Sequence, residues 1–177
     1  NKMPITYITF LIATLAIAGI PPFAGFFSKD QMLAEIFAQN KLLFALALLA
    51  SLMTTFYMFR LLFLTFFGGF RGNNIVKNHV HESPKSMTIP LIVLAALSAV
   101  GGFVGFPHEL GHAVGIHHWL DGFLASSIKL QEANISLNTE LILMTITIVL
   151  ILSVVFAAKI IYINKKSVPE ADEAAMP

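Results

Sequence analysis

The sequence predicts an all-α, polytopic membrane protein fragment with four transmembrane helices, the first of them discontinuous. Charged residues make up only 12% of the chain against 56% hydrophobic residues, whereas soluble domains carry about a quarter charged. Four apolar stretches match a hydrocarbon core about 30 Å thick, which roughly 20 helical residues cross. The first stretch is interrupted at Gly19-Ile-Pro-Pro-Phe-Ala-Gly25, and prolines remove the amide donors that an unbroken helix needs.

Span A is expected over about Pro4–Asn40, with its break near Gly19–Gly25, and span B over about Leu42–Phe67. Span C covers about Met87–Phe106 and span D about Leu141–Ile163. A tight turn at Asn40-Lys41 joins the first two spans. A polar loop at Gly68–Ser86 and a longer one at Pro107–Glu140 join the others, and a polar tail runs from Lys165 to Pro177. Span C carries Ala95, Ser98, Ala99, Gly101, Gly102 and Gly105, and small residues at four-residue spacing let helices approach closely in lipid. The chain starts at Asn1 with its apolar pattern under way by Ile5 and no signal-peptide layout, so it is expected to be a fragment of a longer protein.

Orientation follows from the basic residues. Lys2, Arg71, Lys77, Lys85, Lys165 and Lys166 fall on one side of this arrangement, against Lys41 and Lys129 on the other. The first side is then cytoplasmic, and span A runs from inside to outside. The formal net charge of +1 comes with no basic patch interleaved with aromatics, so nucleic acid is not an expected partner. The absence of cysteine excludes disulfides and thiolate ligation of iron–sulfur clusters on these residues.

The break is the main functional signal. Discontinuous helices carrying ionisable groups make ion sites in membrane transporters, because freed backbone groups and charges must line protein or water. Ser28, Lys29 and Asp30 follow within eight residues of Pro22. A lysine near the bilayer centre costs about 2.5–3.5 kcal/mol on insertion scales, so it has a partner or a role. Desolvation also suits a lysine to proton transfer. Against this stands a simple helix cap at the outer interface, since an unbroken helix from Ile5 would carry Lys29 about 36 Å along. Ser28, Gln31, Glu35 and Gln39 recur at spacings of three and four, one polar face leading outward. That face suits a water-filled half-channel, or an interfacial helix with one wet side.

Arg60 shares a face with Tyr57 and Met53 near the inner end of span B. It suits snorkelling to the headgroups or, buried, the organisation of a proton path. Ser51, Thr54 and Thr55 suit helix packing, or a path lining. Lys159, one turn from the end of span D, suits a snorkelling anchor.

The loop His108-Glu-Leu-Gly-His112-Ala-Val-Gly-Ile-His-His118 fits the metzincin string, with His108, His112 and His118 as ligands and Glu109 as base. Its context is wrong for a zinc protease. A membrane helix closes directly before it, the next methionine is Met144 inside span D, and the loop is too short to enclose a substrate cleft. No metal site is therefore expected. Trp119 fits the interfacial aromatic belt. His79, His81 and Glu82 suit a solvated cytoplasmic loop, or a proton-collecting cluster.

Gly19-Ile-Pro-Pro-Phe-Ala-Gly-Phe-Phe-Ser-Lys-Asp30 resembles the broken helix of the antiporter-like chain L of bacterial NADH:quinone oxidoreductase, respiratory complex I, whose mitochondrial counterpart is chain 5. Phe56-Tyr-Met-Phe-Arg60, Phe66-Phe-Gly-Gly-Phe-Arg71 and His81-Glu-Ser-Pro84, with Met87 and Pro90-Leu91, are similar to the same chain in the same order. The resemblance covers about residues 3–106. It implies that residues 1–106 end an antiporter-like, proton-translocating core. Residues 107–140 would then form an outward loop, 141–163 a last span, and 164–177 a cytoplasmic tail.

By the same resemblance Lys29 and Asp30 carry proton transfer on the outward half of a path. Ser28, Gln31, Glu35, Gln39 and Arg60 support that path, and Gly19, Pro21, Pro22 and Gly25 shape the helix break. The resemblance places NADH, FMN, iron–sulfur clusters and quinone on other subunits, with no cofactor on this chain. The partners it implies are other membrane subunits, the lipid bilayer and the upstream remainder of the chain, in a bacterial inner membrane that is crossed several times. The family's intramembrane glutamate and central lysine would lie upstream of Asn1. The related large subunit of multisubunit cation/proton antiporters shares the broken-helix motif and is the alternative.

Overall fold

The structure, a computed structural model, describes residues 3–67, 81–103 and 137–164. Its elements are helical: α1 (Pro4–Ala18), α2 (Ala24–Gln39), α3 (Lys41–Leu62), α4 (Lys85–Val100) and α5 (Leu137–Lys159). α3 and α5 each run on into one wider π turn, Phe63–Phe67 and Ile160–Asn164, and α4 into a short 3-10 turn, Gly101–Phe103. Span A is thus two helices, and the second resumes at Ala24, so that Gly25 lies inside α2 rather than in the interruption. Span D begins four residues earlier than Leu141. Lys2, Arg71, Lys77, His79, Trp119, Lys129, Lys165, Lys166 and the His108–His118 string lie outside the described residues.

Local chemistry accounts for the boundaries. α1 starts on Pro4, whose missing amide costs nothing in the first turn. The Asn40 side chain ends the tight turn after α2 by accepting from the amides of Leu42 (2.9 Å) and Leu43 (3.3 Å), a standard N-cap for α3. α4 follows Pro84, which is in an extended conformation, and tolerates Pro90 in its second turn.

Two helices are long and apolar enough to cross a membrane, Lys41–Phe67 and Asn138–Ile163, while α1 and α4 are shorter apolar helices. At 1.5 Å per residue α1 is about 22 Å long and does not by itself cross a 30 Å core.

The helices pack around a small apolar centre of Ala18, Phe59, Leu62, Phe63 and Ala158, where the end of α1 meets the far halves of α3 and α5. Tyr7, Phe10 and Phe66 close it through edge-on and tilted ring contacts, Tyr7 to Phe66 at 5.2 Å and Phe10 to Phe66 at 5.6 Å. The opposite faces are apolar and bare. Leu42, Leu46, Leu49, Met53, Tyr57 and Leu61 form an exposed stripe along α3, the distribution expected of a helix that meets lipid or another membrane helix. Along α4 and the 3-10 turn after it, some small residues turn inward. Ala95 is buried, and Gly102 touches Phe27 and Ala24 of α2 so closely that a Cβ there would lie 2.7 Å from the Phe27 ring and 3.0 Å from Ala24 Cα.

Candidate functional site

The break between α1 and α2 is a turn held by backbone and side-chain hydrogen bonds. Gly19 adopts a left-handed conformation (φ 79°), which a side chain would strain, and its amide donates to the Ala16 carbonyl at 3.1 Å. The Ile20 amide donates to the Leu15 carbonyl at 3.1 Å, completing a Schellman cap. The Thr55 hydroxyl of α3 reaches the Ala18 carbonyl at 3.3 Å and the Ser51 carbonyl at 3.1 Å. The peptide bond between Pro21 and Pro22 is cis. The Phe23 amide then returns to the Ile20 carbonyl at 3.2 Å, and the Phe26 amide to the Phe23 carbonyl at 3.0 Å as α2 begins. The Leu15, Ala16 and Ala18 carbonyls, which an interrupted helix would orphan in an apolar setting, thereby find donors.

Two close approaches bring the halves together. Gly25 presses its Cα face on the Ala16 carbonyl, where a Cβ would lie 1.9 Å from the oxygen. Lys29 folds back over Gly19, its Cδ 3.2 Å from the point a Gly19 Cβ would occupy, with Ile151 of α5 closing the other side at 3.8 Å. Lys29 therefore sits at the turn itself, beside the carbonyl end of α1, where a helix favours positive charge. Its Nζ is buried and makes no hydrogen bond among the described residues.

Asp30 is buried at 4% exposure. Its Oδ2 makes no hydrogen bond among the described residues, and the carboxylate lies within electrostatic range of Glu140 in the first turn of α5. Two more buried hydroxyls lack a hydrogen bond among the described residues, Thr14 Oγ1 one turn before the break and Ser51 Oγ one turn from Thr55. Buried polar atoms of this kind are costly unless water or a partner completes them.

The sequence-predicted residues divide. Gly19, Pro21 and Pro22 make the turn, Gly25 opens α2 against it, and Lys29 and Asp30 point into the helix packing. Ser28, Gln31, Glu35 and Gln39 share a face, but it is the exposed face of α2, turned away from the side that buries Phe27, Asp30 and Ala34. Arg60 is exposed and stands over the Tyr162 ring, in the π turn after α5, at 5.8 Å, a cation–π contact rather than a polar one at the break. Lys159 is exposed in the last turn of α5.

Thr14 and Glu140 were not marked by any sequence pattern. A lone threonine in an apolar helix has many uses, and Glu140 meets Asp30 only through the packing of α5. No group of three or more metal-ligating side chains occurs among the described residues.

Comparison with known proteins gives these elements a context. Residues 1–55, which contain α1, the break and α2, match the family described as NADH:quinone oxidoreductase/Mrp antiporter, TM. The chain is 50% identical over 113 residues to the chloroplastic NAD(P)H-quinone oxidoreductase subunit 5 of Chaetosphaeridium globosum, a match covering 62% of this chain and 17% of that protein. The chain resembles subunit 5, or L, of these oxidoreductases. It is 46% identical over 123 residues to NAD(P)H-quinone oxidoreductase chain 5 of a Picosynechococcus species, covering 59% of this chain and 18% of the relative. To NADH-quinone oxidoreductase subunit L of Rickettsia bellii it is 42% identical over 106 residues, covering 60% and 16%. The chain thus spans less than a fifth of the length of these relatives. With its bare apolar faces and two long apolar helices, it is a membrane protein.

Proposed function

We propose that this chain is part of the proton-translocating, multi-pass membrane subunit of an NADH:quinone oxidoreductase in a bacterial inner membrane, and that Lys29 carries protons on its outward half-path. α1 and α2 together would make one discontinuous span, with α3, α4 and α5 the other three. The observation that carries the proposal is the Lys29 ammonium nitrogen, buried and without a hydrogen bond among the described residues at the turn between two half-helices. The carbonyl end of α1 offers a proton on this lysine a favourable position. Asp30 is the next ionisable group along α2 and would hand the proton on. NADH, flavin, iron–sulfur clusters and quinone would sit on other subunits, and this chain would supply path and not redox chemistry.

The family description also names Mrp antiporters, so a cation/proton antiporter subunit is the second reading. Membrane vesicles separate the two. If the proposal holds, NADH oxidation by quinone acidifies the vesicles and Lys29→Ala reduces that acidification. Proton flux driven by a sodium or potassium gradient, with no response to NADH, would replace it with the antiporter.

A further inference from the structure

α1 has no cap of its own. Its N-cap residue is Met3, whose side chain makes no capping bond, and Pro4 has no amide. The Tyr7 amide donates to the Met3 carbonyl at 3.1 Å, which leaves the amides of Ile5 and Thr6 as the first-turn donors that need a partner. Glu82, 77 positions along the chain from Ile5, supplies it. One carboxylate oxygen accepts from the Ile5 amide at 2.8 Å, the other from the Thr6 hydroxyl, and the Thr6 amide also faces the group. The carboxylate is held in turn by the Ser83 amide at 3.3 Å, and His81 Nδ1 lies 2.9 Å from the Glu82 carbonyl. This is a capping arrangement made between distant segments, with a negative charge at the amide end of a helix.

Glu82 lies two residues before Pro84, the N-cap of α4, so the bond ties the start of α4 to the start of α1. α4 then packs along α1, and its far end reaches the other half of the broken helix. Gly102 lies against Phe27 and Ala24, and a Cβ at Gly101 would be 3.8 Å from Ala24 Cβ. α4 is thus anchored to α1 at one end and to the first turn of α2 at the other. α1 and α2 are also joined through the non-helical Gly19–Phe23 turn, their contact at Gly25 and the Lys29 stem over Gly19, and α3 packs against both.

We propose that Glu82 is a positioning residue for proton transfer at Lys29. By capping α1 from the start of α4, it makes α4 a strut that sets one half of the broken helix against the other. Glu82 touches neither Lys29 nor Asp30. It acts by fixing where the carbonyl end of α1 lies beneath the lysine. The inference rests on the role proposed for Lys29.

The test uses the assembled complex carrying the full-length subunit, with protons moved per electron measured beside quinone reduction. Glu82→Ala should lower proton movement on the order of ten- to a hundredfold, the effect of misplacing a reacting group by up to about 1 Å, with electron transfer less affected. Thr6→Val should lower it less, and the double variant should be no worse than Glu82→Ala alone, because both changes break one contact. A second pair, Thr6→Cys with Glu82→Cys, tests position without the carboxylate, and the 177 residues contain no other cysteine. Joining the two thiols with a short bifunctional cross-linker should restore pumping, which a residue that merely collects protons would not allow.

Where Glu82→Ala fails to assemble, the cysteine pair decides. Pumping regained on cross-linking supports the strut, and no gain overturns it. Unchanged protons per electron in assembled Glu82→Ala also overturns it. Lys29→Ala is run in parallel. If that variant pumps normally, both the role of Lys29 and the strut fall. If it loses pumping while Glu82→Ala does not, the strut alone falls.

Discussion

Gly25→Ala should be the most damaging single-methyl change in the described part of the chain. The added Cβ would lie 1.9 Å from the Ala16 oxygen and 2.9 Å from the Ala16 carbonyl carbon, both backbone atoms that cannot rotate aside. Ordinary contact needs at least 3.4 Å, so α1 and α2 would have to part locally by the difference, about 1.5 Å. Forced overpacking costs about 1–3 kcal/mol, and a backbone neighbour puts this case at the upper end. The Ala16 carbonyl also holds the Gly19 amide, and the Lys29 stem lies over Gly19, so the displacement reaches the lysine. Misplacement by about 1 Å can cost on the order of a hundredfold in rate.

The assay compares thermal stability of the assembled complex with protons moved per electron. Gly19→Ala is the internal comparison. Its left-handed backbone costs about 1–2 kcal/mol with a side chain, while its closest neighbour is the flexible Lys29 stem at 3.2 Å. Gly25→Ala should therefore lose more stability than Gly19→Ala, and both should lose pumping. A Gly25→Ala complex with unchanged stability and unchanged pumping would refute the close approach and the geometry built on it.

Thr55→Val keeps the shape of a fully buried side chain but removes the hydroxyl that reaches the Ala18 carbonyl. It should destabilise the complex by about 1 kcal/mol, and by up to about 3 if that carbonyl finds no other donor; a thermal midpoint equal to the parent's would contradict this. The Glu82 carboxyl is held below its usual range, first by the Thr6 hydroxyl; burial opposes this, and the amides of Ile5, Ser83 and Thr6 add to the lowering. A group lowered in the folded state contributes above its unfolded pKa and loses that contribution as pH falls through the folded value. Exchange of the Ile5 amide should thus stay slow from about pH 8 down to about pH 5, and protection lost near neutrality would contradict the cap.

Much of the architecture was legible because lipid imposes a length and a polarity on each helix. The apolar stretches located α3 and α5, α5 with its start four residues earlier than expected, and Gly19, Pro21 and Pro22 marked the break because each has a local conformational reason to be there. Lys29 stood out because an ammonium in an apolar stretch is costly wherever it points. The direction of each side chain was harder to obtain. Ser28, Gln31, Glu35 and Gln39 do share a face, but periodicity gives a face without saying what it meets, and in the described structure that face is exposed.

Arg60 could be placed on a helix but not over Tyr162, a contact between α3 and the π turn after α5. Glu82 was the least legible. His79, His81 and Glu82 form a local cluster in sequence, yet the carboxylate is occupied by a helix start 77 positions away. Capping motifs can be read from sequence only when the cap is local, and α1 has none.

The central claim is that Lys29 carries the proton. Protons moved per electron in the assembled complex, compared between the parent protein and Lys29→Ala at matched quinone reduction, test it most directly. A clear fall in that ratio is the predicted result, and an unchanged ratio would contradict the account.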